Sequence, residues 1–124
     1  MTLNDDNPYE YFTPPGVVGV SEAALTMARQ FDEHVKRTIS RDSWVVGFEW
    51  FTRQRVRLRP DAPWEDLGPG LDLGAYARSD VPPGAIHRVD GVAFVIKIPR
   101  EVYAASPERL IDVDPTAPSK FVLR

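Results

Sequence analysis

Cysteine is absent from all 124 residues of the chain. That excludes disulfides, thiolate nucleophiles and every metal or iron–sulfur site that needs a thiolate ligand. Histidine is nearly absent too: His34 and His87 are the only two. They stand at no recognised ligand spacing, so no metal site is expected. The N-terminal MTLNDDNPYEYF lacks the basic region and apolar core of a secretory signal. No run of residues reaches the roughly 18 apolar positions that suggest a membrane span. From these absences the chain is expected to be cytoplasmic and to have no membrane contact. Two chemical signatures are missing as well. Ser21, Ser43, Ser79, Ser106 and Ser119 sit in no Gly-x-Ser-x-Gly setting, and Gly68-Pro69-Gly70 lacks the Lys and Ser/Thr of a phosphate-binding loop. No catalytic residue and no cofactor are therefore assigned.

A chain of this length makes one ordinary domain, and its hydrophobic content of 43% can fill a core without metals or disulfides. The formal charge of −3 argues against nucleic acid as a general partner, because such domains are basic. The charge is uneven. Residues 1–50 carry eight acids against four Lys and Arg, and residues 51–100 carry eight Lys and Arg against six acids.

The main source of that imbalance is four arginines on alternate positions: Arg53, Arg55, Arg57 and Arg59. Strand side chains alternate faces with period 2, so one extended strand would put all four guanidinium groups on one side and Val56 and Leu58 on the other. A helix would scatter them. The four are the candidate site, a surface for an anion or an acidic protein partner. The competing reading has carboxylates on neighbouring strands neutralising them, with Glu49, Asp112 and Asp114 as candidates.

Around this stripe the order of elements predicts an α+β fold. Residues 1–15 read as a flexible arm that Tyr9, Tyr11 and Phe12 can pin to the body, and residues 16–124 as a single domain. Gly16 to Val20 suits a short strand. Ser21 is placed to cap a helix over about 21–37, with Glu22 at its start and Lys36 and Arg37 at its end matching the helix dipole. Trp44 to Trp50 and Thr52 to Arg59 read as strands, either one long strand or a pair, with Trp44, Phe48 and Trp50 as core. Residues 60–85 contain Pro60, Pro63, Pro69, Pro82 and Pro83 with Gly68, Gly70, Gly74 and Gly84. They read as a long loop anchored by Trp64 and Leu67. Asp90-Gly91 between apolar runs predicts a hairpin with a type I′ turn. One helical turn at Glu101 to Ala105 and short strands at Leu110 to Val113 and Lys120 to Leu123 complete five or six strands.

Three stretches resemble the HesB/IscA-like family of iron–sulfur A-type carriers: VGVSEAALTMARQF; WVVGFEWFTRQRVRLR; and VDGVAFVIKIP with the later RLIDVD and FVLR. The resemblance implies a small mixed β-structure of two packed sheets with one prominent helix, and a homodimer as one assembly. It withholds the function. The family holds its cluster with one cysteine in a Gly-Cys-Ser-Gly segment and two in a Cys-Gly-Cys near the C-terminus. The first of these regions corresponds to about Trp50 to Arg53, which has neither cysteine nor glycine. The expectation is a non-enzymatic interaction module that has lost cluster binding. The alternative is a small-ligand protein or small enzyme with a pocket between the sheet and residues 60–85.

Without a thiolate, anaerobic reconstitution with iron and sulfide should leave no visible absorption band. A stoichiometric coloured cluster would contradict this.

Overall fold

The computed structural model describes residues 12–38 and 43–124. Seven strands and two helices follow in the order β1 (Gly19–Val20), α1 (Glu22–Thr38), β2 (Trp44–Val56), β3 (Glu65–Ala77), β4 (His87–Val89), β5 (Val92–Lys97), α2 (Arg100–Ala104), β6 (Leu110–Asp114) and β7 (Ala117–Leu123). The strands form one sheet in the order β1-β6-β7-β3-β2-β5-β4. It is mixed: β1 with β6 and β2 with β5 run parallel, and the other pairs are antiparallel. The protein is thus α+β with one main helix.

Local chemistry accounts for most boundaries. The Ser21 hydroxyl accepts the Ala24 N–H at 3.2 Å, capping α1, and donates to Asp112 on β6 at 2.6 Å. The cap therefore also ties the helix to the sheet. Asp90 and Gly91 both have positive φ, 50° and 81°, as a type I′ turn between β4 and β5 requires. The Asp114 carboxylate accepts from the backbone and hydroxyl of Thr116, tightening the turn into β7.

The core lies between α1 and one face of the sheet. Ala24, Leu25, Ala28 and Val35 are the buried stripe of α1. They meet Val46 and Phe48 of β2, Phe94 and Ile96 of β5, Ile111 of β6, and Phe121 of β7. Phe48 is fully buried and stands edge-on to two rings, Phe94 at 5.8 Å and Phe121 at 5.3 Å. These contacts matter because β3 and β7 pair only at Leu71 and Phe121 among the described residues. Two sub-sheets, β1-β6-β7 and β3-β2-β5-β4, are joined by that single pairing and by the aromatic cluster behind it.

The opposite face is covered at one end only. Phe12, Val45, Val81, Ala85 and Val95 form a second buried cluster there, under two single 3-10 turns at Arg78–Asp80 and Pro83–Ala85. Phe12 and Thr13 are buried, and Thr13 donates its N–H to the Ile96 carbonyl at 2.7 Å. The rest of the expected arm up to residue 11, with Tyr9 and Tyr11, lies outside the described residues.

The expectation of a loop over residues 60–85 is corrected. Its middle is β3, thirteen residues paired along β2. The period-2 signal was present in Leu71, Leu73 and Ala75, which alternate with Asp72, Gly74 and Tyr76. Proline and glycine hid it. They are accommodated because the β2–β3 ladder shifts register between Phe51 and Gln54 and again between Gln54 and Arg55. Gly68 sits there with φ of 73°, next to Pro69. Trp64 does not anchor this segment, being 52% exposed.

Replacing Phe48 by Ala should cost about 3–5 kcal/mol in urea unfolding, because it empties the space between Phe94 and Phe121. A loss below about 1 kcal/mol would show that the two sub-sheets do not depend on this ring.

Candidate functional site

Beyond Trp50 and Leu71, β2 and β3 pair only with each other among the described residues. The parallel pairing of β2 with β5 ends at Glu49 and Lys97, and β3 leaves β7 after Leu71. The distal halves of the two strands, with the turn between them, therefore form a two-stranded arm. Residues 52–56 alone extend it by roughly 16 Å at ~3.3 Å per residue. The outer backbone edge of β3 is open along the arm, but Pro69 and the irregularity at Gly68 make that edge a poor template for another strand. The arm thus offers side chains rather than backbone.

Those side chains include all four sequence-predicted arginines, though not in the expected way. Only Arg53 and Arg55 belong to β2, which ends at Val56; Arg57 and Arg59 lie past its end. The register shifts also interrupt the alternation that would have aligned them. Each guanidinium has a local companion. Arg53 Nε meets Asp66 Oδ2 at 2.7 Å and Arg59 Nε meets Asp61 Oδ1 at 3.5 Å. Arg55 and Arg57 stand over the Trp64 ring at 5.6 Å and 4.4 Å from its centroid. The Gly68 N–H, followed by the Arg53 side chain, holds the Asp66 carboxyl below its ordinary value. All these groups are exposed, so the ion pairs contribute little stability.

Trp64 is the residue that sequence reasoning misplaced. It reads as an anchor of the 60–85 loop, yet its half-exposed ring is the platform for two guanidinium groups. Leu58, at 87% exposure, stands near the tip. Tryptophan and arginine are the side chains that most often dominate protein–protein contacts.

The expected acidic partners of the arginines find other roles. Glu49 accepts a hydrogen bond from the Tyr76 hydroxyl rather than from an arginine. The Tyr76 ring reaches it by lying across Gly47, where an added Cβ would stand 2.7 Å from the ring and 2.6 Å from Val95. Burial first, and then the Glu49 carboxylate, push the Tyr76 hydroxyl well above its ordinary value of 10, so it stays a donor. Asp112 accepts from Ser21 and, at 3.0 Å, from Arg124; the Ser21 bond leads in lowering its carboxyl. Asp114, by contrast, does come near the stripe, beside a depression of about 530 Å³ that Arg53 and Arg55 also line.

His34 is exposed on α1, as expected of a histidine late in a helix. His87 is buried, only 8% exposed, and stacks on Phe94 at 5.1 Å. Its Nε2 has no hydrogen-bond partner, and desolvation holds its pKa below the ordinary 6.5 against the opposing Thr13 contact. No group of three or more His, Asp or Glu that could hold a metal ion occurs among the described residues. No helix among them is long and apolar enough to cross a membrane. Comparison of the chain with protein-family models, curated proteins and solved structures finds no match.

A depressed histidine pKa fixes the sign of a pH dependence. Burying neutral His87 costs nothing extra above pH 6.5, where it is neutral in the unfolded chain as well. Stability should fall as pH drops below 6.5, because the unfolded chain then takes up a proton that the fold resists. The lowered Asp66 and Asp112 carboxyls act only nearer their ordinary 3.8 and below. Urea midpoints between pH 7.5 and 5 should therefore decline in the wild type and flatten in His87→Gln. An equal decline in both proteins would assign the effect to other groups.

Proposed function

We propose that the protein is a non-enzymatic interaction module that engages a protein partner through the β2–β3 arm. The observation that carries this is Trp64, half exposed and lying under Arg55 and Arg57 at the end of a hairpin whose distal strands pair only with each other among the described residues. Trp64 belongs to neither buried cluster, and tryptophan with arginine is the pair of side chains enriched where protein contacts carry most of their energy. The partner surface is acidic, since arginine's fixed fork of donors suits carboxylates. Relation to the HesB/IscA-like carriers belongs to the same proposal. It is supported by the three resembling stretches, and the missing thiolates separate it from cluster transfer.

A second reading, small-ligand binding, is favoured by the depression beside the arm. It is compatible with the first, because a short ligand there would leave Trp64 and the tip free.

The test compares wild type with Trp64→Ala and Arg57→Gln as baits in the native cell extract, read by quantitative mass spectrometry beside melting temperatures. Both residues are exposed, so both variants should melt within a few degrees of wild type. At least one protein should be retained by wild type, lost by both variants and released as salt rises through ~0.1 M, where the Debye length falls to about 10 Å. A large loss of stability with no difference in captured proteins would make the stack a structural element and defeat the proposal.

A further inference from the structure

Where β3 and β7 part company, opposite charges face each other without meeting. Leu71 and Phe121 are paired, so the antiparallel register carried one residue further sets Asp72 opposite Lys120. No ion pair between Asp72 and Lys120 is formed among the described residues, and both side chains are exposed. Leu71 and Phe121 point into the helix-side core. Their neighbours Asp72, Lys120 and Val122 therefore point to the other face, and there they line the open depression of about 530 Å³ together with Phe51 and Arg55. Phe51, left 37% exposed, is the apolar part of its floor. Beside it the Gln54 side chain lies over Gly70, where an added Cβ would stand 2.7 Å from Gln54 Oε1. The volume lies within the ~300–1,000 Å³ typical of small-molecule sites.

A cation and a carboxylate held apart over an apolar floor complement a molecule with the reverse arrangement. We propose that this depression binds a short free-ended peptide with apolar side chains. Its carboxylate would lie against Lys120, with Arg55 nearby. Its ammonium group would lie against Asp72, with Asp114 as the adjoining wall. Its side chains would cover Phe51 and Val122. A purely anionic ligand is a poorer match, because Asp72 and Asp114 share the lining with the cations. Asp72 Oδ1 already accepts the Leu73 N–H at 2.8 Å, and a purely apolar ligand leaves Lys120 and the second Asp72 oxygen unused. The site shares Arg55 with the partner contact of the arm, but it rests on Lys120 and Asp72, and the assay below contains no macromolecule, so the two are tested independently.

Titration calorimetry with the dipeptide Leu-Leu tests the idea, with N-acetyl-Leu-Leu and Leu-Leu-amide as controls. Saturable one-to-one binding of Leu-Leu is expected, weakened about tenfold by either cap, since each cap removes one charge-assisted contact. Lys120→Gln should weaken Leu-Leu about tenfold and leave Leu-Leu-amide unaffected. Asp72→Asn should do the same for the free amine and leave the acetylated peptide unaffected. Absence of saturation at millimolar peptide would overturn the proposal, as would equal binding of the free and both capped forms to wild type. The comparison of caps needs no variant, so it decides the matter even if a substitution perturbs folding.

Discussion

The Phe48 ring, set edge-on between Phe94 and Phe121, is the contact on which the rest of the structure depends. Among the described residues the backbone joins the two halves of the sheet at one pairing, Leu71 with Phe121. Hydrogen bonds at one point cannot hold two strands groups at a fixed angle. Packing behind that point can, and the aromatic cluster provides it together with the buried stripe of α1. Because Phe48 belongs to β2, the same strand that centres the core also leads out into the arm. The arm is therefore carried on the most firmly held part of the molecule.

That continuity links packing to function. Near Val45 and Val46, β2 is buried on both faces, by α1 on one side and by Phe12, Val81 and Ala85 on the other. Past Glu49 the covers end, and the residues turn to Phe51, Arg53 and Arg55. The change occurs within a few residues of one strand. Bulge geometry, Pro69 and charged side chains keep the uncovered portion from pairing with a foreign strand. What remains available is a side-chain surface, with two guanidinium groups over the Trp64 ring, beside a depression that carries separated charges. An arm held this way can meet a partner with little loss of conformational entropy on binding.

Much of this was legible in the sequence. Ser21 marked the start of α1, Asp90-Gly91 the turn between β4 and β5, and WVVGFEW the first half of β2. These are local signals with local causes, and each holds in the structure. What was hidden depends on pairing. β3 reads as a loop because Pro69, Gly68, Gly70 and Gly74 lower its strand propensity; the long ladder with β2 overrides that. The four arginines were recognised as a group, but their shared face was not fixed by alternation alone, since the register shifts and the end of β2 at Val56 intervene. Glu49 reads as a partner for an arginine, and only the β2–β3 pairing reveals that Gly47 opens the way for Tyr76 instead. Lys120 and Asp72 are 48 residues apart, and only the topology brings them across from each other.

Native-state hydrogen exchange tests most directly whether β2 is core at one end and a presented arm at the other. Amides of residues 45–48 and 94–96 should exchange only with global unfolding. Those of residues 52–56 and 65–68 should open at a free energy lower by on the order of 2 kcal/mol or more. Equal protection along all of β2 would contradict the account, because the arginines and Trp64 would then belong to the cooperative fold rather than to a surface held out for a partner.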